Sequence, residues 1–205
     1  MRNQRMEQYW ETIERWIQSE TKPDFEFPEG VTETQLVAAE ETLSVSFPDD
    51  FKAAYRLHNG SQRIFLFEYG YLMPLFIPEE LSKRVRNSYR EIVTKWSWFK
   101  EYLEEGVYDG LNSSPEEPAK IKSDHWNLHW IPISDNDAGD QLCLDLDPGS
   151  EGQVGQIIFW DHEVGATKVI ASSFEELMKQ IAQIVSADRC EFDKNSFGAI
   201  RIKPE

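Results

Sequence analysis

The 205-residue chain has only 2 cysteines, far apart and outside any C-x-x-C pair, so neither a disulfide framework nor a zinc knuckle is indicated. Long hydrophobic runs are missing as well. The most apolar stretch, Ile64 to Ile77, is broken by Glu68, Gly70 and Pro74 and is too short to span a bilayer. The opening residues carry two arginines but no apolar core segment, unlike a secretory signal. Positive charge is scarce: 21 Lys and Arg stand against 37 Asp and Glu, for a net charge of -16. Such a surface repels phosphate backbones and anionic lipid, so neither nucleic acid nor membrane is expected as a partner, and basic proteins are favoured. No G-x-S-x-G, P-loop or G-x-G-x-x-G motif occurs. These absences predict a soluble, cytoplasmic protein of a reducing compartment.

What is present is core-forming sequence. Hydrophobic residues make up 40% and aromatics 13%, including 7 Trp, which excludes disorder for most of the chain. The length predicts a single domain over residues 1–205. Trp10, Ile13 and Ile17, flanked by Tyr9 and Trp16, recur at helical spacing and stop before Thr21-Lys22-Pro23. Residues 21–31 read as a connecting loop. Thr32 then opens a helix as a capping box with Gln35, and Leu36, Ala39 and Leu43 form its buried stripe. Pro48 suits the first turn of a third helix, with Asp49 and Asp50 on its N-terminal dipole. Phe51, Ala54, Tyr55 and His58 line one face of that helix, and Asn59-Gly60 is expected to end it with a left-handed cap.

Residues 63–72 are strand-like, interrupted by Gly70. A long helix is predicted from Pro78, with Leu81, Val85, Tyr89, Ile92, Trp96, Phe99 and Leu103 keeping the period to Gly106. Residues 107–124 collect Gly, Ser and Pro and read as a surface loop. Strand patterns follow at 126–131, ending at Pro132, and at 141–146. Pro148 to Gly155 is a turn. Gln156 to Trp160 is apolar on both parities, as in a central strand, and Lys168 to Ala171 is a short strand. Ser172 or Ser173 caps a last helix through Phe174, Leu177, Ile181 and Ile184, and the tail 188–205 alternates only weakly. Helices mostly first and strands mostly second predict an α+β fold on a central, largely antiparallel sheet.

Chemistry is harder to find. The run Asp135 to Asp140 invites a calcium reading, but Asp140 stands where an EF-hand loop needs Gly and Leu146 where it needs Glu. An acidic turn fits better, with Gly139 supplying the bend. His125 and His129 have the spacing of a helical zinc pair but lie in loop-and-strand sequence without a third ligand. His58 is placed to bond the last carbonyls of its helix and His162 lies in a loop, and neither has an evident catalytic partner. The tryptophans mostly fall on apolar stripes, so packing explains them better than a carbohydrate site. No catalytic residue, cofactor-binding residue or metal ligand is assigned.

Two stretches together resemble a known family. The first, Thr32 to Gly60, is TETQLVAAEETLSVSFPDDFKAAYRLHNG, with Glu40 on a helix, then Pro48, then His58-Asn59-Gly60. The second is WIPISDNDAGDQLCLDLDPGSEGQVGQIIFWDHE, with Trp130, Pro132, Gly139, Asp140, Asp145, Pro148, Gly152 and Gly155. Followed by Val169 to Phe174, these resemble the SUKH superfamily, which holds bacterial immunity proteins of toxin systems and fungal regulators of cell-wall glucan synthesis. The resemblance covers residues 5–187; loop 107–124 and the tail are less recognisable. It implies an α+β fold with helices packed on a central sheet, no enzymatic activity and no cofactor. Bacterial members are thought to neutralise a cognate toxin, often a nuclease, by direct binding, and fungal members look like scaffold or hub proteins. The residue reading gives Glu40, Pro48, Asn59, Gly60, Trp130, Pro132, Gly139, Asp145 and Gly155 structural roles.

The charge then acquires a use. Twelve acidic residues lie between Glu101 and Asp147, against Lys120 and Lys122. A nuclease toxin has a basic groove, and an acidic inhibitor fits it. The expected partner is therefore a basic cognate toxin, and the expected contact residues are Glu116, Glu117, Asp137 and Asp140, which sit in loops and turns. Acidic surfaces also serve solubility alone. A non-catalytic regulatory or scaffold module of the same fold is the alternative.

Overall fold

The computed structural model describes residues 4–20, 26–61, 65–66, 70–76, 91–187, 189–193 and 199–202. α1 (Gln4–Glu20) buries Met6, Trp10, Ile13 and Ile17, one face at helical spacing. α2 (Glu33–Leu43) starts with the expected capping box: Gln35 N donates to Thr32 Oγ1 at 3.3 Å, and Thr32 N donates to Gln35 Oε1 at 2.8 Å. α3 (Asp49–Leu57) follows, with Pro48 at the cap position just before the first turn. Phe51, Ala54 and Tyr55 are buried on one face of α3. α4 is Ile92–Glu104, and α5 (Phe174–Ser186) is capped by Ser173, whose Oγ accepts from Glu176 N. A second cap for α5 comes from far away. Asp50 Oδ2, on α3, accepts from Glu175 N at 2.9 Å.

The strands are β1 (Phe65–Leu66), β2 (Tyr71–Leu72), β3 (Trp130–Pro132), β4 (Ser134–Asp135), β5 (Gln141–Asp145), β6 (Gln156–Asp161), β7 (Gly165–Ala171), β8 (Cys190–Asp193) and β9 (Ala199–Ile202). The main sheet has the order β3-β5-β6-β7 and is antiparallel throughout. β2 pairs antiparallel with β4. β9 joins β8 antiparallel and β1 parallel. The fold is thus α+β with a largely antiparallel sheet, as the pattern of elements predicts. β6 occupies the central position expected from its two-sided apolar character.

Alternation along the strands divides the main sheet into two faces. Ile131, Ile133, Leu142, Leu144 and Ile157 face the large core shared with α1, α2, α3 and α5. Trp130, Cys143, Ile158 and Trp160 face a second core closed by Phe99 of α4, Ile121 and Trp126. Both faces are covered, which is why these strands read as near-continuous hydrophobic runs.

Several sequence expectations are corrected. Residues 107–124 are not merely a surface loop, because Ile121 and Ser113 are buried and the segment is bonded to the sheet edge through Glu116 N to Thr167 O at 2.7 Å. Strand 126–131 begins only at Trp130; Trp126 turns into the second core, and Trp130 N closes the turn onto Asn127 O. The helical period does not run through Glu91, which is extended (φ -120°, ψ 148°) and caps α4 at Ile92, whose N–H bonds Pro74 O. The portion from Pro78 to Arg90 lies outside the described residues, as do 63–64 and 67–69 of the expected strand.

α3 ends at an extended His58 rather than at a left-handed Asn59-Gly60 cap. His58 pairs with Glu29 in a β-bridge, and its Nδ1 lies 3.1 Å from Pro28 O, not on the carbonyls of its own helix. β7 begins three residues before the expected start, and the weakly alternating tail contributes β8 and β9.

Candidate functional site

The two stretches of the resemblance form polar junctions between distant elements. On α2, Glu40 Oε1 accepts from Phe47 N at 2.7 Å and Lys52 Nζ at 3.2 Å, fixing the link to α3. The Asn59 side chain behaves like a short strand: Nδ2 donates to Phe76 O at 2.8 Å and Oδ1 accepts from Leu75 N at 2.7 Å. Gly60 (φ 83°) lies so close to the same segment that a Cβ would sit 2.6 Å from Leu72 O and 2.8 Å from Pro74 N. Pro48 and Gly155 bring the two stretches together, since a Cβ on Gly155 (φ 89°) would stand 2.9 Å from Pro48 Cγ. Pro132 closes β3 opposite Cys143.

Asp145 is the hub of the second stretch. Its carboxylate accepts from Trp130 Nε1 at 3.1 Å, Gln156 Nε2 at 2.8 Å and Asp147 N at 3.0 Å. Burial pushes its carboxyl up, and the three donors pull against that. Cys143, also buried, has its thiol pushed well up by the same loss of solvation. Neither group is accessible to a substrate. Asp145 ties β3, β5 and β6 together through these bonds, and Cys143 packs in the second core.

The expected contact residues fall around the β6–β7 hairpin. Asp140 Oδ1 accepts from His162 N at 3.2 Å and lies 2.8 Å from His162 Nδ1, while Asn136 Nδ2 donates to Asp140 Oδ2 at 2.9 Å. His162, for which the sequence shows no catalytic partner, is thus bonded to a carboxylate 22 residues away. Partial burial pushes the Asp140 carboxyl up, but the bonds from His162 and Asn136 outweigh it and hold it below the usual carboxylate range. The same bond raises His162. Asp137 is exposed in the same turn (φ 60°), and Gly139 packs against the His162 ring. On the other side of the hairpin, Glu116 is exposed and bonded through its N–H to Thr167 O. Glu117 is half-buried and paired with Lys120. The charges near Glu116 and those near Asp140 thus flank one hairpin although the sequence separates them.

Asp140, Asp161 and His162 bring ligand-type atoms within 4.8 Å of one another, a cluster that sequence spacing did not reveal. Each carboxylate already has backbone or side-chain donors: Asp161 Oδ1 accepts from Glu163 N at 2.8 Å and Val164 N at 3.2 Å. Hydrogen bonding alone accounts for the cluster. His125 is buried against Tyr108 and Trp160, and burial lowers its pKa, with Asp161 acting in the opposite sense. His129 is exposed. No helix of the described residues is long and apolar enough to cross a membrane.

Comparison with known proteins places these junctions in context. A profile of the SMI1 / KNR4 family (SUKH-1) matches residues 30–180. The chain is 27% identical over 203 residues to the cell wall assembly regulator SMI1 of Saccharomyces cerevisiae, covering 87% of this chain and 40% of that protein. It is 23% identical over 236 residues to the glucan synthesis regulatory protein of Neurospora crassa, covering 95% of this chain and 42% of that one. It therefore spans about two fifths of the length of these fungal relatives. An SPbeta prophage-derived uncharacterized protein, YokK of Bacillus subtilis, is 27% identical over 201 residues, which is 93% of both chains. These relatives are named as regulators or as uncharacterised, not as enzymes. With both motif stretches inside the matched region, this chain belongs to the SMI1 / KNR4 family (SUKH-1).

Proposed function

We propose that this chain is a single, non-catalytic protein-binding domain that acts in the cytoplasm as an immunity protein, neutralising a basic cognate toxin by stoichiometric binding. The observation that carries the reading is the charge, -16 over 205 residues, with acidic groups from separate segments flanking the β6–β7 hairpin. Such a field speeds association with a cationic surface and disfavours nucleic acid. Asp145 and Cys143, whose protonation burial shifts upward, lie inside the sheet, which supports a binding role over a catalytic one. The Bacillus relative adds support, since a protein matched over 93% of its length consists almost wholly of this domain.

The test is co-expression with toxin domains encoded beside the gene. Protection from one of them, with a 1:1 complex whose association slows as salt rises, is the expected result. No protection, together with a stable complex with a cell-wall synthesis protein, would replace this reading by a second one. That second reading, a regulatory or scaffold module, is favoured by the fungal relatives named for cell-wall assembly and glucan synthesis.

A further inference from the structure

Six large apolar side chains stand exposed among the described residues, and four of them lie on the end of α4, the turns that follow it and the hairpin seated against those turns. Tyr102 is 43% exposed, Val107 52%, Leu111 50% and Val164 54%. The first three come from the end of α4 and the turns after it, which fold back on themselves through Val107 N to Tyr102 O at 2.9 Å and Leu111 N to Tyr108 O at 3.0 Å. Val164 is at the tip of the β6–β7 hairpin. The hairpin is seated against the same turns: a Cβ on Gly165 would lie 2.9 Å from Ser113 Cβ and 3.1 Å from His125 O, and Tyr108 packs on the His125 ring at 5.1 Å. Clustered apolar exposure of this kind marks an interaction surface.

The rim of this surface is acidic. Glu101, Glu104, Glu105 and Asp109 are exposed among the apolar side chains, and no basic residue occurs between 101 and 111. Lys100, 3.8 Å from Glu104, offsets one of them in an exposed pair of little strength. Glu163 extends the rim on the hairpin. A second copy of this chain would bring like charges together across the patch, and anionic lipid or nucleic acid would be repelled by it. A cationic protein surface that also offers apolar side chains satisfies both features.

We infer that the patch of Tyr102, Val107, Leu111 and Val164, with its acidic rim, is a docking surface for a basic, amphipathic protein segment. The inference rests on the protein-binding reading above, and it adds an apolar centre that the acidic candidates Glu116, Glu117, Asp137 and Asp140 lack. Apolar contacts at the centre would set the lifetime of the complex and the rim its rate of formation.

The test needs no toxin, so its failure is distinct from failure of the immunity reading. The full chain, labelled with nitrogen-15, is titrated with two synthetic helical peptides, one of Lys and Leu with a single apolar face and one of Lys and Ser with the same charge. Saturable amide shifts confined to 101–111 and 163–165, with the Lys/Leu peptide binding the more tightly, are expected. Tyr102→Ser/Val107→Ser/Leu111→Ser should bind the Lys/Leu peptide about tenfold more weakly. Val37→Ser/Val154→Ser, at exposed apolar sites elsewhere, should bind it as the parent does. Melting curves of both variants establish that they fold. Should the triple variant not fold, Glu101→Gln/Glu105→Gln/Asp109→Asn, which leaves the apolar side chains alone, should instead lose most of the salt dependence. Shifts centred elsewhere, equal affinity for both peptides, equal losses in the two apolar variants, or no binding would each overturn the inference.

Discussion

Replacing Asp145 tests whether the buried junction of β3, β5 and β6 holds the sheet together. In Asp145→Ala, the indole N–H of Trp130, the amide of Gln156 and the N–H of Asp147 all lose their acceptor. A buried donor left unsatisfied costs about 1–3 kcal/mol. Gln156 Nε2 keeps its bond to Lys120 O at 2.9 Å and Asp147 is only half-buried, so the heaviest loss falls on Trp130, which has no exposure at all. Removing the buried carboxylate also removes its own desolvation, which works in the opposite direction. The expected net loss is about 3 kcal/mol. Asp145→Asn keeps one oxygen for Trp130 and Asp147, which both bond Oδ1, but turns an NH2 toward the Gln156 amide. It should lose about 1–2 kcal/mol.

The pH dependence supplies a second readout. The Asp145 carboxyl is raised in the folded state, so the native protein binds more protons than the unfolded one over the window from the ordinary carboxylate value up to the folded value. The parent's stability from this group is full below that window and falls as pH rises through it. Asp145→Asn lacks this titration, so the gap between parent and variant should narrow across the window as pH rises. Urea unfolding followed by tryptophan fluorescence at several pH values measures both effects. If Asp145→Ala unfolds at the parent's midpoint, or Asp145→Asn is the weaker of the two variants, the junction does not stabilise the sheet as argued.

Gly60→Ala should lose about 3 kcal/mol, because a Cβ would collide with backbone at Leu72 and Pro74, whereas Gly110→Ala, at a similar φ of 76° with open space around it, should lose about 1 kcal/mol. Equal melting temperatures for the two variants would show that close approach plays no part. Glu40→Ala deprives Phe47 N and Lys52 of their acceptor and should lower stability by about 1–2 kcal/mol in urea unfolding, with Glu40→Gln in between. His162 is raised and Asp140 lowered in the fold, so their pairing contributes below the ordinary histidine value and is lost as pH rises through the raised one; it contributes above the ordinary carboxylate value and is lost as pH falls through the lowered one. His162→Gln should flatten the alkaline side of the stability profile, and an unchanged profile would show that the pair does not persist in solution.

The sequence by itself determined the features whose causes are close neighbours. The capping box of α2 joins residues three apart, Ser173 caps α5 three residues on, and the apolar period of α1 lies within one helix. Alternation at 141–145 and two-sided apolarity at 156–160 placed the two adjacent inner strands of the main sheet. The family's motif residues were legible too, although not what they touch. Only the tertiary structure decided where partners far apart in sequence meet. Glu91 leaves the helical period because Ile92 bonds Pro74; His58 leaves α3 to pair with Glu29; and the weak tail becomes strand because β9 finds β1 and β8. Residues 107–124 have loop composition, yet Ile121 is drawn under the sheet by the apolar face of Trp130, Ile158 and Trp160. The candidate surface was illegible for the same reason. The turns that carry Val107 and Leu111 meet the hairpin that carries Val164 only once β7 accepts the segment along its edge, a contact between Glu116 and Thr167 that no local pattern encodes. Caps and periods are written by neighbours along the chain, whereas long-range pairing is settled by which apolar faces must be covered together.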